Sequence, residues 1–278
     1  MGATEQDTIP AGGSELDLLL ATVLDQSGCD FRGYSQVSIR RRLEMQLRSE
    51  GLHTLGEMIP LVLSDARLLE RVLNILLITV TEMFRDPSYY SVLRNEVMPD
   101  LTKRGVVRVW LAGCATGEEA YSMAILLKEV GLGDRAIVYA SDLNRRALRE
   151  AREGFYSLES IRTATTNYIA SGGKECFSDY YSARYGQARI REKLRFTLHF
   201  FQHDLVTGET FGEMDLILFR NVLIYFDREL QGRVFSLFER SLRSGGILCL
   251  GAKETIELSD SRSSFTQILP RFGVYRKH

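Results

Sequence analysis

From Val106 onward the chain changes rhythm, and that change limits the possible folds more than any single residue does. Short apolar runs of strand length alternate with helical stretches. "VVRVWLAG" reads as a buried strand and leads into a helix from Glu118; "AIVYASD" reads as a second, followed by the helix "NRRALREAREG". "LRFTLHFFQHD" and "EMDLILFRN" are a third and a fourth, and the helix "DRELQGRVFSLFERSLRSGG" leads into a fifth, "ILCLGAKE". Strands joined through helices pair in parallel, so the pattern predicts an α/β sheet wound on both faces. The chain closes with "FTQILPRFGVYRKH", two short β-like runs around Pro270 and Gly273.

Before Val106 no strand signal appears. From Ser14 to about Leu101 the text is helical. "SELDLLLATVLDQSG" has Ser14 as a candidate N-cap and Gly28 as a stop, and "SQVSIRRRLEMQLRSEG" spaces Ile39, Leu43 and Leu47 four apart before Gly51. Pro87 opens a further helix, at a position where its missing N–H costs nothing. The expected division is a disordered tail over 1–13, a helical N-terminal domain over 14–90 and an α/β domain over 91–278. Residues 155–194 carry Tyr156, Tyr168, Tyr180, Tyr181 and Tyr185 without a long helical stripe. Such a stretch is too long for a plain loop, so it reads as an inserted small antiparallel β-subdomain.

Composition mainly excludes. The 278 residues carry a net charge of −1, which gives no bulk attraction to nucleic acid. Charged residues break every apolar run before it reaches membrane-spanning length, and the acidic, polar start is unlike a secretory signal. Four scattered cysteines (Cys29, Cys114, Cys176, Cys249) match neither a zinc spacing nor a disulfide framework. Reduced thiols, no metal and a cytoplasmic location are expected.

In an open parallel sheet, ligands bind beyond the carboxyl ends of the strands. Collected there are Gly113, Thr116, Gly117 and Glu118 from the first strand, Asp142 from the second, Asp204 from the third, and Arg220, Asn221 and Tyr225 after the fourth. Asp142 can accept hydrogen bonds from both hydroxyls of a ribose; a simple cap for "NRRAL" is the competing reading. The turn Gly113-Cys-Ala-Thr-Gly117-Glu118-Glu119 lacks the third glycine of a dinucleotide loop. Two carboxylates fill the helix N-terminus where a pyrophosphate would sit. That suits a cofactor with a cationic amino end, and S-adenosylmethionine has one. Compensation of the helix dipole is the simpler explanation for either glutamate alone.

Two further stretches stand out. In "TVTEMFRDPSYY", Thr79 and Thr81 interrupt apolar text and Arg85 follows, so polar groups there are candidates to reach a cleft between domains, with a capped helix end as the plain alternative. Between residues 37 and 50, Arg40, Arg41, Arg42 and Arg48 outnumber Glu44 and Glu50 by four to two. A charge run is commonly a solvated face; the functional reading is an acidic helical partner.

"TVTEMFRD", "GCATGEEAYS", "ASDLNRRALREA", "FRNVLIYFD" and "GGILCLGAKE" occur in the order and spacing of the chemotaxis-receptor protein-glutamate methyltransferases. The chain resembles that CheR family over roughly residues 15–277. The resemblance implies a helical domain followed by a Rossmann-like, class I S-adenosylmethionine-dependent methyltransferase sheet with a small antiparallel β-subdomain inserted, acting as a monomer in chemotactic adaptation. A terminal hairpin is what separates such a sheet from that of a dehydrogenase. The resemblance further implies cofactor contacts from Thr79, Thr81, Arg85, Gly113, Gly117, Glu118, Asp142, Asp204 with Leu205, and Arg220 with Asn221. Tyr225 would lie near the sulfur and the methyl. Arg40, Arg41 and Arg42 would face the methylation helices of a chemoreceptor's cytoplasmic domain. In some members the β-subdomain also docks a peptide from the receptor's C-terminus. The product, S-adenosylhomocysteine, would share the cofactor pocket. Thr79 stands where the family often has Asn, and Ala120 where it has Pro.

The implied acceptor, a glutamate, is ionised at pH 7, so no general base is needed. Catalysis would rest on alignment, with Arg85 holding the cofactor's carboxylate and Tyr225 orienting the sulfur or the substrate. His203 beside Asp204 reads as structural. The alternatives are a non-catalytic module that binds S-adenosylmethionine, and an NAD-dependent oxidoreductase, which the missing glycine and the glutamate pair oppose.

Overall fold

The computed structural model describes residues 14–195, 197–210 and 212–278. The tail expected over 1–13 lies outside them. The chain divides into two compact units, one ending at Leu77 and the other running from Ile78 to His278.

The first unit is four helices: α1 (Glu15–Ser27), α2 (Gln36–Glu50), α3 (Leu55–Ser64) and α4 (Ala66–Leu76). Local chemistry sets the ends of α1. Ser14 Oγ accepts from the Asp17 amide while the Asp17 carboxylate accepts from the Ser14 amide. Gly28 stops the helix at φ 72°. Leu16, Leu19, Leu20 and Val23 are buried on one face of α1, and Ile39, Leu43 and Leu47 on one face of α2.

That inner face of α2 also holds Arg42, and here the structure corrects an expectation. Arg42 is buried; its Nη1 donates to the carbonyls of Ile75 (3.1 Å) and Leu76 (2.7 Å), and its Nε to that of Ser38. It caps the C-terminus of α4 by satisfying carbonyls that lack intrahelical partners. Arg40, Arg41 and Arg48 are exposed, so the outward basic row is these three without Arg42.

The second unit opens with α5 (Pro87–Val92), a π-helical turn over Leu93–Val97, and α6 (Met98–Thr102). A domain boundary at residue 90 was expected. The contacts place it at 77, because Met83, Phe84, Tyr89, Tyr90, Leu93, Val97 and Leu101 share one core with the sheet residues Val107, Val109 and Leu111. The strands and helices then follow as β1 (Val107–Ala112), α7 (Glu118–Glu129), β2 (Ala136–Asp142), α8 (Arg145–Glu153), β3 (Phe155–Ser157), α9 (Leu158–Ala170), β4 (Tyr181–Arg184), β5 (Gln187–Ile190), α10 (Glu192–Arg195), β6 (Leu198–Gln202), β7 (Met214–Phe219), α11 (Arg228–Ser241), β8 (Leu242–Leu250), β9 (Phe265–Leu269) and β10 (Val274–Lys277).

Seven of the strands form one sheet in the order β6-β2-β1-β7-β8-β10-β9. β1 pairs in parallel with β2 (Val109↔Val138) and with β7 (Val109↔Leu216), while β10 runs antiparallel between β8 and β9. The chain winds outward through β2 and β6 on one side of β1 and through β7 and β8 on the other. The crevice at the C-terminal ends of β1 and β7 is therefore a topological switch point, where open α/β sheets bind ligands. Every residue of β7 is buried, as a central parallel strand requires.

The insertion is a three-stranded antiparallel sheet, β3-β5-β4, as expected. Tyr185 (φ 52°) and Gly186 (φ 77°) make the tight turn between β4 and β5, the left-handed pair that a two-residue hairpin favours. The reading that this stretch has no long helical stripe is overturned by α9, which buries Ile161, Ala164 and Tyr168 along one stripe. The run "TATTN" has low helix propensity and masks that stripe; packing decides it.

Candidate active site

The glycine turn after β1 is held from both sides. The amides of Gly113 and Cys114 both donate to the Ser141 carbonyl at the end of β2, at 2.8 and 2.9 Å. Gly113 (φ 75°) has no room for a side chain: a Cβ would lie 2.9 Å from Val222 Cγ2. At Gly117 (φ 93°), which caps α7, a Cβ would lie 2.8 Å from Ala151 Cβ on α8. The glycines thus let β1 and α7 approach the loop after β7 and the helix α8.

Asp142 closes the turn. Its carboxylate accepts from the Ala115 amide and from the Asn144 amide, each at 2.8 Å. The helix α8 is capped by Asn144, which accepts from the amides of Arg146 and Ala147. Asp142 is therefore not the cap, and its carboxylate sits at the strand end beside the turn. Burial pushes its pKa up, against the pull of the amides of Asn144, Ala115 and Leu143.

At the start of α7 the two glutamates separate in role. Glu118 is held by Thr116, whose hydroxyl donates to it at 2.7 Å, and burial pushes its pKa up to about 7. Glu119 faces Arg220 at 3.0 Å. Arg220, buried after β7, also pairs with Asp86 at 2.8 Å, donates to the Arg85 carbonyl at 3.3 Å and stacks on the Tyr89 ring at 4.0 Å. Burial alone would lower its pKa; Glu119, the tyrosines and Asp86 outweigh that and keep it charged. Arg220, expected at the cofactor, forms a clamp that ties the 84–86 segment to α7.

That segment is bent tightly. Phe84 (φ 54°) and Asp86 (φ 57°) adopt left-handed conformations, as does Asn221 (φ 62°) opposite. Non-glycine residues persist there only when their surroundings hold them. The Phe84 amide donates to Ser122 Oγ at 2.9 Å, Asn167 Nδ2 donates to the Met83 carbonyl at 3.1 Å, and the Phe84 ring meets those of Tyr90, Tyr168 and Phe177 edge-on.

A cavity of about 240 Å³ opens between this segment, α7 and the insertion. It is lined by Thr81, Met83, Glu118 and Tyr156, with Glu82 and Glu159 adding two more carboxylates. Of the residues expected at the cofactor, Thr81 and Glu118 meet here. Gly113, Gly117 and Asp142 gather around the adjoining turn. Thr79, Arg85, Asp204, Leu205, Asn221 and Tyr225 are half-buried and do not line this cavity. Asp204 accepts from the Val206 amide at 2.8 Å, and the Tyr225 amide donates to the Val222 carbonyl at 3.0 Å. His203 packs edge-on against Trp110, and burial lowers its pKa, as a structural histidine would show.

The sequence does not reveal the contribution of the insertion. Tyr156 donates from its hydroxyl to the Thr116 carbonyl at 2.8 Å, and α9 supplies Glu159, Ser160, Ile161 and Thr163 to the cavity wall. The one local signal is a buried tyrosine two residues after the Gly154 stop of α8.

Residues 79–270 match the family described as CheR methyltransferase, SAM binding domain, and residues 14–77 match CheR methyltransferase, all-alpha domain. A Pseudomonas putida protein named methyltransferase Cher3 is 42% identical over 95% of this chain and 96% of its own length. The chemotaxis protein methyltransferase of Listeria innocua is 33% identical over 82% of this chain and 85% of its own. That of Escherichia coli K12 is 29% identical over 92% and 94%.

Proposed function

The chain belongs to the CheR family of S-adenosylmethionine-dependent methyltransferases, and from that premise we propose that it methylates glutamate side chains on the cytoplasmic helices of chemoreceptors. The site fits the cofactor on its own chemistry. Glu118 is a half-buried carboxylate whose one hydrogen-bonding side-chain partner among the described residues is a neutral hydroxyl, beside a cavity carrying two further carboxylates. Such a donor set favours a cationic amino end and opposes a pyrophosphate, which disfavours the NAD reading.

When bound, S-adenosylmethionine supplies an activated methyl group. In this reading Glu118 and Thr81 hold its amino-acid end, Asp142 holds its ribose, and Asp204, Leu205 and Asn221 contribute to the remaining wall. Arg85 is half-buried and its side chain makes no hydrogen bond among the described residues, which leaves it available to a ligand carboxylate. The acceptor glutamate is ionised at neutral pH and needs no base. The task left to Tyr225, on the short helical turn Leu223–Tyr225, is orientation.

Arg40, Arg41 and Arg48 on the exposed face of α2 suit an acidic helical substrate. The β3-β5-β4 sheet, with its exposed Tyr185 turn, suits a receptor peptide added at an edge. What supports the reading most is the match of both family domains along the chain. The test is peptide mass mapping of a chemoreceptor cytoplasmic fragment after incubation with the protein and S-adenosylmethionine. The expected result is a one-methylene mass gain on specific glutamates, absent when those glutamates are changed to alanine. Modification only at other residue types would refute the glutamate assignment.

A further inference from the structure

Glu254 lies just past β8, in a turn closed by its amide donating to the Gly251 carbonyl at 2.9 Å. It is buried. Its Oε2 accepts two backbone N–H groups, from Gly251 at 2.7 Å and from Asn221 at 2.9 Å. The second bond crosses from the end of β8 to the end of β7, at the switch point. Asn221 is the residue that the loop holds at φ 62°, and the same loop continues to Tyr225. The amides of Leu223 and Val222 also act on the Glu254 carboxyl and favour its charge, although burial is the larger influence and pushes its pKa up.

The neighbours leave space for this carboxylate. A Cβ on Gly251 would lie 2.6 Å from Glu254 Oε2 and 3.1 Å from the Asn221 nitrogen. On the other side of the loop, Val222 fills the space that a side chain at Gly113 would need. The loop is therefore wedged between the glycine turn and Glu254. Among the described residues the second oxygen, Oε1, is buried with no hydrogen bond of ordinary geometry, and the Val222 and Leu223 amides act on the carboxyl more weakly than a formed bond. An unpaired buried carboxylate oxygen is costly for stability. The Oε2 bond to the Asn221 amide, made across two strands at the ligand-binding end of the sheet, points to a role beyond holding the fold.

Resting on the methyltransferase reading above, we propose that Glu254 is a positioning residue: it fixes the Asn221–Tyr225 loop, and through it the cofactor-facing and substrate-facing groups that the loop carries. Full-length Glu254→Ala, Glu254→Gln and Gly251→Ala variants test this by calorimetric titration with S-adenosylhomocysteine, by backbone amide NMR and by turnover. Glu254→Ala is expected to lose roughly tenfold in S-adenosylhomocysteine affinity and about 100-fold in turnover, the scale of a misplaced group. Glu254→Gln keeps an acceptor for both amides and is expected to stay within about threefold of the parent. Gly251→Ala, which displaces the carboxylate, is expected to follow Glu254→Ala; if Glu254→Ala fails to fold, the contrast between the other two decides. Parent-like affinity in Glu254→Ala or Gly251→Ala, or equal losses in Glu254→Gln and Gly251→Ala, would overturn the proposal. The titration needs no protein substrate, so a parent enzyme that fails to methylate a receptor refutes the glutamate reading without touching the role of Glu254.

Discussion

At Glu118, burial acts on the carboxylate that the proposed site offers to a ligand's cationic end. Burial moves its pKa from 4.5 to about 7, so between those values the folded chain holds a proton that the unfolded chain has released. The ligand-free protein therefore loses stability from this group as pH rises through that window. A bound cation reverses the preference and favours the ionised form. Affinity for S-adenosylhomocysteine, whose amino group is cationic, should accordingly rise by up to about tenfold between pH 6 and 8 and then level off. Glu118→Gln should bind more weakly and show no such rise. A flat profile in the parent protein, measured by calorimetry, would mean that Glu118 does not meet the cation. Tyr225→Phe should lower turnover while leaving cofactor affinity near that of the parent. Unchanged turnover would remove the hydroxyl from the account.

Among the elements, α2 divides its arginines between a buried and an exposed face. Arg42 closes the end of α4, so Arg42→Met should strand the Ile75 and Leu76 carbonyls and cost about 1.5–3 kcal/mol in urea unfolding. The exposed pair Arg40→Ala/Arg41→Ala should change stability by less than about 0.5 kcal/mol and instead raise the KM for a receptor fragment. Equal stability losses in both variants would show that the row is not divided. The sequence holds the clue: Arg42 shares the helical stripe of Ile39, Leu43 and Leu47, while Arg40 and Arg41 fall outside it. The run of three arginines obscures that periodicity. The capping box of α1, the strands and the Asn144 cap are legible because each is a local pattern. Glu254 is not, since the amide it holds lies 33 positions earlier in the chain. The helix α9 is hidden because its threonines disfavour the conformation that its buried stripe enforces.

For the molecule as a whole, the insertion is built into the catalytic unit and is not merely appended to it. Glu129, at the far end of the helix that Glu118 begins, pairs with Arg94 at 2.6 Å and accepts from the hydroxyls of Tyr168 and Tyr180 and the Lys174 amide. Both ends of the pair are almost fully buried. Removing one partner leaves a buried charge uncompensated, so Glu129→Gln should destabilise this unit by about 3–5 kcal/mol. The loss should appear as a lower Tm and as weaker S-adenosylhomocysteine binding, because α9 and α7 both line the cavity. A parent-like Tm would mean that the insertion is held by its aromatic contacts alone. The central claim is that this scaffold delivers a methyl group to a glutamate carboxylate. Its most direct test is alkaline release of labelled methanol from a chemoreceptor cytoplasmic fragment treated with methyl-labelled S-adenosylmethionine and the protein. The account predicts base-labile label on the intact fragment, none on a fragment lacking its methylatable glutamates, and suppression by S-adenosylhomocysteine. Label that resists alkali, or that persists without those glutamates, would contradict it.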